Sequence, residues 1–251
     1  MILWRRTLHT AALLALAGLA GTVQAISFEQ VQRIKAQEAI PRWKIEALRA
    51  QALRNTPPDA ATASAWRALD AQTDPQVGKA PLEQVAAARD EDELLTNASW
   101  LRWRILSENA DARFSFVYAA QLSRMRDEQG NFDQEATIFY FHAKLALTLD
   151  GMRCSDRTKA EHLSTWYAQQ DDLQALAQKS SRMPAAEKSA AILEAIAIEE
   201  MLGERPPMGW LCPRRGADDN SSPARYLSDT EWRKYRADQL EQLTRNAMRD
   251  L

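Results

Sequence analysis

The sequence predicts an all-α protein, and three observations predict it. Apolar residues recur at intervals of three and four along most of the chain, the spacing that lines up side chains on one side of a helix. Nowhere after the N-terminal leader do β-branched residues alternate in period two over a strand's length. Pro, Gly and Ser-x-x-Gln or Ser-x-x-Glu pairs fall where one periodic segment stops and the next begins. The expected architecture is a single compact helical domain of about seven to nine helices around a central α/α hairpin, after a cleaved signal peptide.

The signal peptide is read from the start of the chain. Arg5 and Arg6 precede the apolar run Ala11 to Ala20, and Val23-Gln24-Ala25 follows as a small-residue cleavage site. That run is about ten residues, short of the roughly 20 needed to span a bilayer, so stable membrane insertion is not expected after processing. Residues 1–25 are therefore assigned to export and 26–251 to the mature domain, with a periplasmic or secreted location in a Gram-negative bacterium. The arginine pair also occurs in twin-arginine signals, and the export route stays open. Loss of the leader removes two arginines and shifts the formal charge from −2 to −4. Mild acidity of this kind carries no electrostatic footprint for nucleic acid.

In chain order, Ser27 and Gln30 form a capping-box pair ahead of Phe28, Val31 and Ile34, which run at helical spacing up to Pro41. A second helical piece spans Trp43 to Leu53. Residues 55–81 turn to Pro, Ala, Thr and Asp and predict an irregular connection with a short helix around Trp66 and Leu69. Pro81 to Leu95 is expected as one helix carrying the acidic run Asp90 to Glu93 on a solvated face. Asn97 or Ser99 then caps a helix in which Trp100, Trp103 and Leu106 fall three apart, as core packing.

The central hairpin covers Ala110 to Gly151. Phe132, Ala136, Phe139, Ala143 and Ala146 make one apolar row of its second arm, and Ile138, Phe141, Leu145 and Leu149 make another. A helix apolar on two faces must be covered on both. This arm is therefore the predicted axis of the core, ended by Gly151 in the left-handed conformation. Further helices are expected from Asp156 to about Lys179, from Ala185 to Leu202 with a stop at Gly203, and from the Ser228–Glu231 capping box to the C-terminus. Between the last two lies the irregular stretch 204–223, whose Met208-Gly209-Trp210-Leu211 core predicts docking against the domain.

In the second arm, Glu135-Ala136, Phe139-Tyr140 and His142-Ala143 stand as EAxxFYxHA, which resembles the second helix of Sel1-like and tetratricopeptide-type repeats. Ala110 and Ala112, ahead of the polar turn, look like the first helix of such a unit. The resemblance covers about 37 residues, and no second copy follows at the 34-to-36-residue period of a solenoid. It implies one α/α unit used for protein contacts, and it carries no catalytic residue across.

Two cysteines remain in the mature chain. In an exported protein the pair Cys154 and Cys212 is expected as a disulfide. Neither has a Cys or His partner at ligand spacing, and no H-E-x-x-H is present, so no metal is expected. No glycine array for phosphate and no G-x-S-x-G elbow occurs, so no cofactor and no activated serine are predicted. His142, on an apolar helix, is expected as a hydrogen-bonded core histidine.

These readings predict an exported, non-catalytic protein that binds another periplasmic or envelope protein, as an inhibitor, immunity protein or assembly factor. Trp66, Trp210, Arg214 and Arg215, on the irregular segments, are the candidate contact surface. The alternative is an α-helical cell-wall hydrolase of the lysozyme type, with Glu108 as the first candidate acid and Glu199 and Glu200 behind it. A third is a structural envelope protein.

Overall fold

The computed structural model describes residues 79–127, 130–154, 171–208, 211–212 and 226–249, with residues 60, 64 and 66–69, which are helical. The leader, the helices expected before residue 55 and most of the 55–81 connection lie outside the described residues, as do residues 155–170, the first part of the helix expected from Asp156. The protein is all-α. Its one sheet among the described residues is a two-residue ladder, β1 (Arg126–Asp127) with β2 (Gly130–Asn131), which closes the central hairpin.

Helix α1 (Lys79–Ala87) buries Leu82, Val85 and Ala86. It does not run on to Leu95 as the sequence predicts. Its last carbonyls, which have no partner within the helix, are taken by side chains. Arg124 Nη1 donates to Ala86 and Ala88, Arg89 Nη1 to Ala86, Ala87 and Ala88, and Gln121 Nε2 to Val85.

A new helix, α2 (Glu91–Glu108), then starts at Asp90, whose carboxylate accepts from the Asp92 and Glu93 N–H groups. The acidic run is a helix start, where three more acids meet the positive end of the helix dipole. The residues expected to cap this segment, Asn97 and Ser99, lie inside α2. It buries Trp100, Leu101 and Ile105 completely and ends at Asn109, which holds a left-handed backbone at φ 53°.

Asp111 caps α3 (Ala112–Arg124), and α4 (Asp133–Gly151) returns along it. The pairing is antiparallel: Ser115 meets His142, Phe116 meets Tyr140, and Tyr118 meets Phe139 edge-on at 4.6 Å. Ala136, Ala143 and Ala146 are wholly buried, and such small residues let neighbouring backbones approach closely. Both predicted apolar rows of α4 are in use. The first packs on α3, while Leu145 and Leu149 of the second meet Leu193 and Ile196 of α6 (Ala185–Leu202) and Leu240 and Ala247 of α7 (Asp229–Met248). Between them in sequence, α5 (Asp171–Arg182) covers α3 and α4 through Leu173 and Leu176.

Gly151 does not adopt the left-handed conformation; it is the last residue of α4, and Met152 after it stays right-handed. The chain instead tightens, with Arg153 N–H bonded to Asp150 O and Cys154 N–H to Gly151 O. Cys154 and Cys212 form the expected disulfide, which holds the exit of α4 to the late connection. Leu211 and Met208 pack beside it, so this part of the 204–223 stretch is docked. Gly203 ends α6 at φ 78°, and the Ser228–Glu231 capping box starts α7.

Candidate functional site

Polar side chains inside a helical core are the first place to look for chemistry, because each must be paired or costs several kcal/mol. One such group lies where α3, α4, α6 and α7 converge beside the end of α2. His142 (α4), Ser115 (α3), Glu199 (α6), Asp150 (end of α4) and Arg205 (just after α6) are all buried. Helical periodicity puts the first three on faces that otherwise carry only apolar residues, so they point inward together.

Arg205 is the hub. Its Nη1 and Nη2 donate to Glu199 Oε2 and Oε1 at 2.9 and 3.0 Å, the two-pronged match of guanidinium and carboxylate. Its Nε donates to Asp150 Oδ2 at 2.8 Å, and Nη1 also reaches Asn109 Oδ1 at 3.1 Å. Arg236 of α7 donates to Glu199 Oε1 at 2.9 Å and to the Glu199 carbonyl. Two carboxylates thus face two guanidinium groups, and the buried charge is compensated.

Asn109, freed by its left-handed turn, donates from Nδ2 to the carbonyls of Leu202, Gly203 and Glu204 and so closes the end of α6. Around the rim, Arg153 donates to the Arg205 carbonyl and to Asp229, and its guanidinium lies 4.5 Å from the Trp232 ring centre. Trp232 in turn donates from Nε1 to Leu149 O at 3.1 Å.

Against this, Ser115, His142 and Glu199 form a row in the order nucleophile, base, acid. Ser115 Oγ is 3.0 Å from His142 Nδ1, and His142 Nε2 is 3.4 Å from Glu199 Oε2. The Glu199 carboxylate favours the tautomer with the proton on Nε2, leaving Nδ1 to accept from Ser115. Burial holds the imidazole below its ordinary pKa, against the opposing pull of Glu199. Burial by itself would raise Glu199, but the charge of Arg205, with His142 and Arg236, holds it down to about 2.

A serine nucleophile needs a substrate carbonyl within about 3 Å. Ser115 and His142 have no exposed surface, at 0 % each. The row ties three helices together.

The sequence-derived candidates lie elsewhere. Glu108 ends α2, 39 % exposed, and is ion-paired to Arg104 Nη1 one turn back at 2.6 Å. Trp66 packs on α2: its Nε1 donates to Ser99 Oγ at 3.0 Å, and its ring stacks on Trp103 at 5.5 Å. Trp210, Arg214 and Arg215 lie outside the described residues. Glu199, grouped with Glu108 and Glu200 as a candidate acid, is instead a buried partner of arginine.

Ser115, Asp150, Arg205, Arg236 and Asn109 were not singled out by the sequence. Ser115 and Glu199 did leave a signal, a polar residue in the middle of an apolar helical row. Among the described residues no three His, Cys, Asp or Glu side chains stand together as a metal site. No described helix is long and apolar enough to cross a membrane. Comparison with protein families, with curated proteins and with solved structures finds no match to the chain.

Proposed function

We propose that the chain is an exported, non-catalytic helical protein that binds another periplasmic or envelope protein, as an inhibitor, immunity protein or assembly factor. The observation that carries this reading is the use made of the core's Ser115–His142–Glu199 row. Residue types that elsewhere do acyl transfer are sealed from solvent, and the acid of the row, Glu199, is committed to two arginines. The Cys154–Cys212 disulfide supports an oxidising compartment, in line with the leader pattern of residues 1–25. In this reading the α3–α4 hairpin serves as a single scaffold unit of the tetratricopeptide kind.

The test is in-cell crosslinking of the tagged, processed protein, with a parallel incubation of purified protein on peptidoglycan. Repeated recovery of the same partner protein is the expected result. Failure to recover any partner in repeated trials overturns the binding proposal. Release of wall fragments by the native protein, lost in Glu108→Gln, replaces it with the hydrolase.

A further inference from the structure

The connection that leaves α6 at Gly203 carries two adjacent prolines. A proline fixes its own φ near about −65°, and a residue that precedes one is kept to extended backbone. Arg205 and Pro206 each precede a proline, so Arg205-Pro206-Pro207 is set in the polyproline conformation, which repeats every three residues. Burial follows that repeat. Arg205 is buried and Met208, three residues on, packs beside Cys154, Leu211 and Cys212, while Pro206 and Pro207 between them face solvent.

Both ends of this short segment are fastened. On the α6 side, Asn109 Nδ2 donates to the Gly203 and Glu204 carbonyls, and Arg233 of α7 pairs with Glu204. The Arg205 side chain holds Glu199 and Asp150, and its carbonyl accepts from Arg153 Nη1 at 2.8 Å. On the far side, the Leu211 and Cys212 N–H groups bond to Met208 O, and Cys212 is crosslinked to Cys154. A loop that must become ordered on binding loses affinity in doing so, and here the order is already present.

We infer that Pro206 and Pro207 form a pre-ordered contact ridge, and that its occupant is a groove lined with Trp or Tyr side chains on a partner protein. Two neighbouring pyrrolidine rings on a rigid backbone present flat apolar faces on which aromatic rings stack, with little conformational freedom left to lose. The large exposed hydrophobic side chains of the described helices, Leu95 on α2 and Met248 on α7, stand singly and make no such surface. The inference rests on the binding role proposed above and says where the partner sits. It also gives the buried cluster a use, since Arg205 and its carboxylates hold the ridge from beneath.

The test places a photoreactive benzoylphenylalanine at Glu204, beside the ridge, or at Gln178 on the exposed face of α5, in the full-length protein in cells. Irradiation should join position 204 to the same partner that in-cell crosslinking of the tagged chain recovers, at a partner peptide containing Trp or Tyr, and position 178 should give no adduct. Adding Pro206→Ala with Pro207→Ala should lower the adduct yield at 204 about tenfold, the loss of a pre-ordered anchor. Should that variant fail to fold, the comparison of positions 204 and 178 in the otherwise native chain decides. A partner recovered from the tagged chain overturns the ridge, and leaves the binding role standing, if it is not joined at 204, is joined equally at 178, is joined through a peptide without Trp or Tyr, or is captured as well by the alanine variant. Wall glycan joined at 204 in place of protein overturns the ridge too. Recovery of no partner by either route overturns both the ridge and the binding role.

Discussion

Replacing Arg205 with methionine should lower the unfolding free energy by about 3–5 kcal/mol, the loss expected when one partner is removed from a buried ion pair. Methionine fills much of the same volume, so the deficit comes from charge. Glu199 and Asp150 are left buried beside each other, with Arg236 as their remaining described cation near Glu199. For a chain of this size the melting temperature should drop by roughly 6–20 °C.

The deficit has a pH signature. Without Arg205 the folded-state pKa of Asp150 moves further above its unfolded value, so its contribution is retained at low pH and lost as pH rises. The variant should therefore be closest to the native protein in mild acid and furthest from it above neutrality. Adding Asp150→Asn should recover part of the loss, because it removes one of the stranded charges, with a coupling of about 1–3 kcal/mol. Urea titrations of the four proteins at two pH values measure all of this. An Arg205→Met protein as stable as the native one would mean that the cluster contributes nothing.

The second large effect belongs to the disulfide. Replacing both Cys154 and Cys212 with alanine should cost about 2–5 kcal/mol, since a crosslink spanning 58 residues restricts the unfolded chain by roughly 4 kcal/mol in the chain-entropy model. Both cysteines are buried, next to Leu211, so the substitutions also loosen a small apolar cluster. Denaturation of the double variant, beside native protein with and without reductant, checks the magnitude. Equal stability in all three would show that the bond is dispensable.

Much of the fold was legible because it rests on local pattern. The two apolar rows of α4 stated in advance that this helix has neighbours on both sides, and α3 and α6 occupy them. Gly203 and the Ser228–Glu231 box marked ends that the structure keeps, since both act within a few residues of themselves. The break at Asp90 was harder to see. Its capping role competes with continuation of the helix, and the partners that close α1, Arg124 and Gln121, come from more than 30 residues away. Gly151 misled because the chain after it stays right-handed through Met152 and closes with the Arg153 N–H on Asp150 O and the Cys154 N–H on Gly151 O, so no left-handed residue is used.

The candidate site was less legible still. His142 announced itself as a polar residue on an apolar helix, yet nothing near it in sequence named Ser115 or Glu199 as partners. Arg205 lies six residues from Glu199, across a helix end and just before two prolines, where an arginine ordinarily reads as a solvated loop residue. Its burial is settled by packing among four helices, and the sequence carries no periodic trace of that.

The central claim is that the Ser115–His142–Glu199 row is a sealed tie in the core and that the protein acts through its surface. Treating the folded protein with a fluorophosphonate, which phosphonylates activated serines with loss of fluoride, and mapping the adduct by mass spectrometry tests it most directly. The account predicts no modification of Ser115 in the folded protein. Stoichiometric labelling of Ser115, abolished in His142→Gln, would contradict it and turn the row into an active site.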